Sequence, residues 1–138
     1  MGVHGGLLRM DTPGNGHIVD LTEGVAQVVS TSGVERGLVT VFATGSTVAV
    51  TTMEYEPGGV HDLQALLDRL VPSSSDYEHN VRNHDTNAHA HLRAAVIGPS
   101  ETIPLVDGRL ALGTWQQVVL LDFDDRPRRR TVTVQVLS

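Results

Sequence analysis

Short apolar runs separated by turn residues follow one another along the chain, and their spacing predicts alternating strands and helices. The run from His17 to Leu21 predicts a strand. A helix is predicted next, beginning at Thr22, with valines at helical spacing until Gly33 stops it. The β-branched segment GLVTVFATGSTVAVTTME then predicts two strands joined at Thr44-Gly45-Ser46.

The clearest helix signal lies in the segment GVHDLQALLDRLVP, which Pro72 closes. Its apolar residues recur at spacings of three and four, and they are Val60, Leu63, Leu66, Leu67 and Leu70. The polar stretch from Ser73 to Asn83 predicts a loop. A further helix is predicted from Thr86, with Asn87 as its cap and Gly98-Pro99 as its stop. Its predicted apolar face comprises Ala88, Leu92, Ala95 and Val96.

The rest of the chain predicts strands in ETIPLVDG, RLALGTWQQVVLLDF and RRRTVTVQVLS, with turns at Asp107-Gly108 and from Asp124 to Pro127. Strands at both ends and helices between them predict an α+β fold with largely antiparallel sheets and two or three helices. We expect a single domain over residues 1–138, and the glycine-rich residues 1–16 are expected to be partly loose.

Composition narrows the classes of function. The chain has 138 residues and no cysteine, so disulfides, thiolate metal sites and thiol nucleophiles are excluded, and a transition metal would need His, Asp or Glu ligands. The formal net charge of -6 argues against nucleic-acid binding. No apolar stretch approaches the roughly 20 residues of a membrane span, so we predict a cytoplasmic protein without membrane contact.

Two further features allow structural interpretations. The arginines of the one basic run lie beside acidic residues, which predicts a solvated turn of mixed charge; they are Arg126, Arg128, Arg129 and Arg130. Trp115 lies in an apolar segment and is predicted to anchor the core or an interface. Gln116 would then face the other side of the strand, where it could reach a ligand.

Four of the seven histidines form a cluster at His79, His84, His89 and His91. If residues 86–97 are helical, His89 and His91 are about 200° apart around the helix axis and cannot share a face. If that segment is extended, the two imidazoles point the same way and can chelate one metal ion. The cluster is therefore open to three interpretations, as metal ligands, as acid/base groups, or as polar residues around a helix start.

Several segments, in order, resemble the YjbQ/UPF0047 family from about Ile18 onward. They are GLVTVF, DLQALLDRLVP, the block YEHN with HDTNAHAHLRAAVIGPS, and SETIPLVDGRLALGTWQQVVLLDF. The resemblance implies a homotrimer with sheets packed around a threefold axis and a histidine-rich cleft. It also implies that the cleft can hold a divalent metal, zinc or magnesium, and that weak thiamine-phosphate synthase activity is associated with it.

By position, the resemblance implies roles for individual residues. The metal ligands would be His79, His89 and His91, and the catalytic groups His91, Glu54 and Asp85. Substrate would contact Asn87, Ser46, Thr47 and Gln116. One departure stands out, because the chain has Gly45-Ser46-Thr47 where members of the family usually have His-Thr-Thr.

Two classes of function therefore stay open. The first is an enzyme that joins a pyrimidine diphosphate to a thiazole phosphate and releases pyrophosphate, with acid/base help from His91 or Glu54. The second is a trimer without catalysis that binds a metal, a small phosphorylated metabolite or a protein partner. The glycine at position 45 removes an imidazole and favours the second class.

Overall fold

The computed structural model describes residues 2–138. Over those residues the chain forms eight strands and four helices. In chain order these are β1 (Val3–Thr12), β2 (His17–Asp20), α1 (Thr22–Ser32), β3 (Gly37–Ala43), β4 (Val48–Met53), α2 (Pro57–Leu70), α3 (Glu78–Asn83), α4 (Ala88–Ile97), β5 (Ser100–Val106), β6 (Arg109–Leu110), β7 (Gln117–Asp122) and β8 (Arg128–Leu137).

The strands form two sheets in which each neighbouring pair is antiparallel. One sheet has five strands in the order β1-β8-β3-β5-β6, and the other has three in the order β2-β7-β4. The α+β class and the largely antiparallel sheets are thus as the sequence predicts, whereas residues 2–138 contain four helices where two or three were expected. None of those helices is long and apolar enough to cross a membrane.

The three-stranded sheet is apolar on both faces, which explains the unbroken apolar run in β7. Its inner face packs with α1 against the five-stranded sheet, and this core includes Val41, Val134, Val50, Leu120 and Val25. Its outer face packs under α2 and α4 in a second core that includes Ala49, Val119, Leu67, Ala90 and Ala94. The three-stranded sheet therefore holds α4, the helix that carries His89 and His91, against the rest of the fold.

The structure differs from three expectations about elements. The opening segment was expected to be partly loose, and most of it lies in β1, which pairs with β8 along its whole length from Val3 to Thr12. The predicted loop at Ser73 to Asn83 contains α3, whose six residues are polar apart from Val81. The strand predicted over RLALGTWQQVVLLDF is interrupted, because residues 111–116 lie between β6 and β7.

The predicted apolar face of α4 is also wrong. Leu92, Ala95 and Val96 are exposed, and Val96 retains 75% of its accessible surface. Ala88 is buried as predicted, but the rest of the buried face carries Ala90, Ala94 and two polar residues, His89 and Arg93. Small alanines allow the helix to lie close to β4, and close packing by small residues leaves little amphipathic signal in the sequence.

Candidate functional site

The turn that joins β3 to β4 lies at the centre of the candidate site. Its three residues, Gly45, Ser46 and Thr47, replace the usual histidine-containing motif that the resemblance implies. Gly45 has a positive φ of 147°, a backbone conformation that favours glycine. The backbone carbonyl of Ser46 is bonded to a histidine of α4, whereas the Thr47 side chain is buried. The turn therefore separates an open cleft from a buried polar network.

The cleft lies between this turn and α4, and its volume is about 320 Å³. His91 and Ser46 supply its polar groups, and the rest of its lining consists of Gly45, Val48, Ala94, Ala95 and Pro99. The His91 Nδ1 atom lies 3.1 Å from the Ser46 carbonyl oxygen. Because a carbonyl oxygen only accepts, Nδ1 carries the proton and Nε2 has no hydrogen-bond partner within residues 2–138. His91 therefore offers one ring nitrogen to a ligand.

His79 reaches the same region from α3. Its ring centroid lies 4.7 Å from that of His91. The His79 Nε2 atom is 3.0 Å from Asn87 Oδ1, and the Asn83 side-chain amide lies 3.5 Å from His79 Nδ1. With the amides in this orientation, Nε2 donates to Asn87 and Nδ1 accepts from Asn83. Both nitrogens of His79 are thus engaged by protein groups, and the ring packs beside His91.

His89 lies elsewhere. The helical backbone of α4 turns it about 200° away from His91, so the two imidazoles do not form a shared H-x-H ligand pair. His89 is buried, and its Nδ1 atom has no hydrogen-bond partner in residues 2–138. Burial lowers the pKa of His89, and the charge of Arg93 lowers that pKa further. At neutral pH this histidine is therefore an uncharged, buried side chain.

The predicted metal set is not assembled. Within residues 2–138, no group of three His, Asp or Glu side chains converges in a way that could hold an ion. His79 and His91 come together, His89 points away, and both nitrogens of His79 already have partners. This arrangement provides one free imidazole nitrogen where a zinc site needs three protein ligands or more. Binding of zinc or magnesium stays a prediction.

The other side of the turn contains a buried polar network. Arg130 donates from Nε (2.7 Å) and Nη2 (2.8 Å) to the carboxylate of Asp122, a residue without exposed surface. A second bond from Nη2 reaches the Thr47 hydroxyl at 2.8 Å, and that hydroxyl donates to Asp124 at 3.0 Å. The bidentate pairing with Asp122 raises the pKa of Arg130 against the effect of burial. The Thr47 hydroxyl is therefore occupied inside the protein.

This network corrects the interpretation of the basic run. Arg130 is buried, and Arg128 donates to Asp124 at 3.0 Å, so the segment is not simply a solvated turn of mixed charge. Burial would raise the pKa of Asp124, but hydrogen bonds from Arg128 and Thr47 outweigh burial and lower it. Arg126 and Arg129 remain exposed, as predicted.

Glu54 and Gln116 lie at the other end of β4 from the cleft. Ser46 precedes β4 and Glu54 follows it, so the length of that six-residue strand, about 20 Å at ~3.4 Å per residue, separates them. Gln116 donates to the Thr52 hydroxyl at 3.1 Å and accepts from the Gly113 backbone at 3.0 Å. Trp115 beside it is 73% exposed and not part of the core. Within one chain, these residues and His91 do not form a single site.

Asp85 lies in the connection between α3 and α4. Its carboxylate accepts from the Thr86 backbone N–H at 2.8 Å, a local bond that stabilises this connection. Asn87 is buried just before α4, and its side chain bonds His79. Of the predicted residues, the structure therefore brings together His91, His79, Asn87 and the Ser46 backbone. Glu54, Gln116 and His89 lie apart from this group.

Comparison with known proteins identifies the relatives of this chain. A sequence profile of the family described as UPF0047 protein YjbQ-like matches residues 7–138. The chain belongs to the YjbQ/UPF0047 family. A UPF0047 protein of Archaeoglobus fulgidus is 38% identical to it over 130 residues, which cover 94% of this chain and 98% of the relative.

Two crystal structures of family relatives have the same fold as this YjbQ-like chain. One is a YbjQ-like protein of unknown function from Sulfolobus solfataricus, with a TM-score of 0.90, 30% identity and 99% of each chain covered. The other is a hypothetical protein from Aeropyrum pernix, with a TM-score of 0.90 and 36% identity over 97% of this chain and 98% of that one. These relatives establish the fold and leave the activity open.

The sequence analysis did not single out Arg93, and it named Arg130 without predicting its burial; both arginines are buried in this YjbQ-like chain. The partners of Arg130 are Asp122 and Thr47, which are distant in sequence or lie on other strands. Arg93 bonds the Val71 carbonyl, again on another segment. The only sequence signal for the Arg130 network was the run of acidic residues at the end of β7 followed by basic residues at the start of β8. That run does not show which of its side chains are buried.

Proposed function

We propose that this chain binds a small phosphorylated metabolite at the cleft between the Gly45–Thr47 turn and α4, without chemistry of its own. The observation that carries the proposal is the hydrogen bond from His91 Nδ1 to the Ser46 carbonyl. That bond fixes the ring and leaves Nε2 unpaired within residues 2–138. A protonated imidazole can donate from Nε2 to a phosphate oxygen, and such a charge-assisted bond is stronger than a neutral one.

The walls of the cleft support a ligand with an apolar part. Val48, Ala94, Ala95 and Pro99 form most of the lining, beside the polar groups of His91 and Ser46. Small-molecule sites commonly combine apolar walls with a few polar groups that fix orientation. A phosphate ester of an organic ring matches this combination better than an inorganic ion alone.

The side-chain arrangement favours binding over the thiamine-phosphate synthase reaction. That reaction requires charge on a leaving diphosphate to be neutralised, typically by a divalent cation or by arginine. The two predicted carboxylates do not help at this cleft, because Glu54 follows the far end of β4 and Asp85 bonds its own backbone neighbour. His79 is held by two asparagines, which leaves His91 as the candidate acid or base.

Assembly as a homotrimer is part of the proposal. The outer face of the five-stranded sheet is not covered by any element in residues 2–138, yet it carries apolar side chains in adjacent positions. Phe42 pairs with Thr133, which pairs with Leu7. The exposed apolar residues of this face include Val3, Leu7, Leu38, Phe42, Val106 and Leu137. An apolar patch of this kind is typical of an interface between subunits.

The test is calorimetric titration of the purified protein with a thiazole phosphate. We expect saturable binding, at least tenfold weaker in His91→Ala and unchanged in His84→Ala, which removes an exposed histidine beyond the cleft. No binding by the wild type, or equal affinity in both variants, would overturn the proposal. Light scattering on the same sample should give the mass of three chains.

A second incubation distinguishes binding from catalysis. The protein is supplied with a pyrimidine diphosphate, a thiazole phosphate and Mg²⁺, and thiamine phosphate is measured against a heat-killed control. We expect no product above the control. Product that disappears in His91→Ala would replace the binding proposal with the synthase, since the same side chain would then be a catalytic residue.

A further inference from the structure

A small polar cavity lies on the opposite side of α4 from the histidine cleft. Its volume is about 170 Å³. The turn before β2 contributes Asn15 and Gly16, α2 contributes Gln64 and Asp68, and α4 contributes Arg93. Apolar side chains, among them Leu121 and Phe123 of the three-stranded sheet region, close its base.

Arg93 is the buried charge of this cavity. Its side chain is only 6% exposed. Nε and Nη2 both donate to the Val71 carbonyl, at 3.0 and 2.7 Å, and Nη2 also donates to Asp68 at 3.1 Å. The planar guanidinium has five N–H donors, and the two on Nη1 have no acceptor within residues 2–138. Nη1 is not among the fully buried polar atoms, so it is the part of the guanidinium that is accessible from the cavity, where a charged oxyanion accepts from it more strongly than a neutral group does.

The positive charge of Arg93 is also incompletely neutralised. Its ion-pair partner Asp68 is 71% exposed, and an exposed carboxylate attracts weakly because water and salt screen it. The Arg93 Cζ atom lies 5.9 Å from the Phe123 ring centroid, so the ring supplies a further weak attraction but no hydrogen-bond acceptor. The base of the cavity is otherwise apolar, which strengthens a charge-assisted hydrogen bond made there.

The remaining polar groups are donors and acceptors of amide type. Gln64 donates through Nε2 to the Gly16 carbonyl at 2.9 Å, which fixes the amide at the wall of the cavity. Asn15 also lines the cavity. The volume corresponds to roughly five or six water molecules at ~30 Å³ each, enough for a phosphate ion or a short carboxylate. From these observations we propose that this cavity binds a small oxyanion through Arg93 Nη1, independently of the histidine cleft.

The test follows the guanidinium directly. The Nε–Hε resonance of Arg93, assigned with Arg93→Lys, is recorded while inorganic phosphate or acetate is added at constant ionic strength, with chloride as the reference. We expect a saturable shift with at least one of the two oxyanions and none with chloride. The stronger of the two responses identifies a phosphate or a carboxylate as the source. A response to neither oxyanion, or an equal response to chloride, would overturn the proposal.

Two variants sharpen the result and do not depend on replacing Arg93. Asp68→Asn removes the competing carboxylate and should tighten oxyanion binding about threefold to fivefold. Asp62→Asn is the matched control, since Asp62 is on the same helix and 85% exposed. Equal affinities in these two variants would count against a ligand at Arg93. His91→Ala should leave the Arg93 response unchanged, which separates this site from the proposed metabolite cleft.

Discussion

The turn at Gly45–Thr47 separates two polar regions that differ in how their donors and acceptors are satisfied. On one side, Asp122 accepts two hydrogen bonds from Arg130, which also donates to Thr47, so these side chains hold one another inside the protein. On the other side, His91 makes one hydrogen bond to the protein and has a free ring nitrogen in an open cleft. Adjacent residues thus have different roles, since the Thr47 side chain belongs to the buried network and the Ser46 carbonyl orients the His91 ring at the open cleft.

The difference indicates which histidines and arginines deserve functional tests. Polar groups that already have protein partners gain little from a ligand, because binding would break existing bonds. His79 and Thr47 are in this class, although both match positions of the family motif. His91 and Arg93 are in the other class, because each has a ring or guanidinium nitrogen without a partner in residues 2–138.

The largest expected effect comes from breaking the buried network. In Arg130→Met, the carboxylate of Asp122 would remain buried without its cation, and we expect the free energy of unfolding to fall by about 3–5 kcal/mol. Urea denaturation followed by circular dichroism measures this change. The matched control is Arg129→Met, because Arg129 is the neighbouring residue and its side chain is 77% exposed; it should change stability by no more than about 0.5 kcal/mol.

A small loss in Arg130→Met, below about 1 kcal/mol, would contradict this account of the network. Such a small loss would mean that the Asp122 carboxylate becomes hydrated or protonated at little cost in free energy. We expect the network to support the cleft only through the position of the turn, so thiazole phosphate binding by any folded Arg130→Met protein should be measured as well.

Sequence patterns predicted elements whose burial follows a simple period. In α2, the apolar spacing around Leu63 and Leu67 fits the helix that the structure contains, and Pro57 begins it. The same reasoning gave the wrong face for α4, because His89 and Arg93 are buried there while Val96 is exposed. Those polar side chains are buried by contacts with α2 and with the three-stranded sheet. The spacing of apolar residues along the sequence carries no information about such contacts.

The candidate site was only partly predictable for a related reason. The family resemblance predicted that His79, Asn87 and His91 belong to one site, and these residues do lie together. It gave no indication that a helical backbone would turn His89 away, although the geometry of a helix already predicted that outcome. Short α3 was missed because a six-residue polar helix has neither apolar spacing nor a strong cap.

The next largest loss of stability is expected from a substitution at Gly45, which lies between the cleft and the buried network. A Cβ atom at this position would lie 2.9 Å from Val48 Cγ1 and 3.0 Å from Arg130 Nη1, with φ at 147°. Gly45→Ala should therefore lower stability by about 2–4 kcal/mol through backbone strain and crowding together. Gly16→Ala is the control for strain alone, because Gly16 also has a positive φ, 85°, but its Cβ would meet no atom within 4 Å.

We expect Gly16→Ala to lose only about 1–2 kcal/mol in the same urea experiment. Equal losses in the two variants would show that Arg130 and Val48 move aside without cost, and that the two regions are not coupled at this turn. Gly45→His would begin from the same crowded Cβ position, so we expect it to lower stability as well.

The smallest expected effect is on the pH dependence of stability, and it comes from the buried imidazole of His89. The pKa of His89 is lowered from its ordinary value of 6.5, chiefly by burial, so the unfolded chain binds a proton at His89 more readily than the folded chain does. By linkage, the free energy of unfolding decreases as the pH falls below 6.5. Asp124, whose pKa is lowered from 3.8, stays ionised in this range and does not obscure the trend.

Urea denaturation between pH 5.5 and 7.5 should therefore show a weaker dependence on pH in His89→Gln than in the wild type, since glutamine occupies the site without titrating. His84→Gln is the control for removing an exposed histidine. If His89→Gln and His84→Gln followed the wild-type curve equally well, His89 would have to be accessible to protons in the folded state. The two faces of α4 would then not differ in the way proposed here, with His89 in a closed interior and His91 at an open cleft.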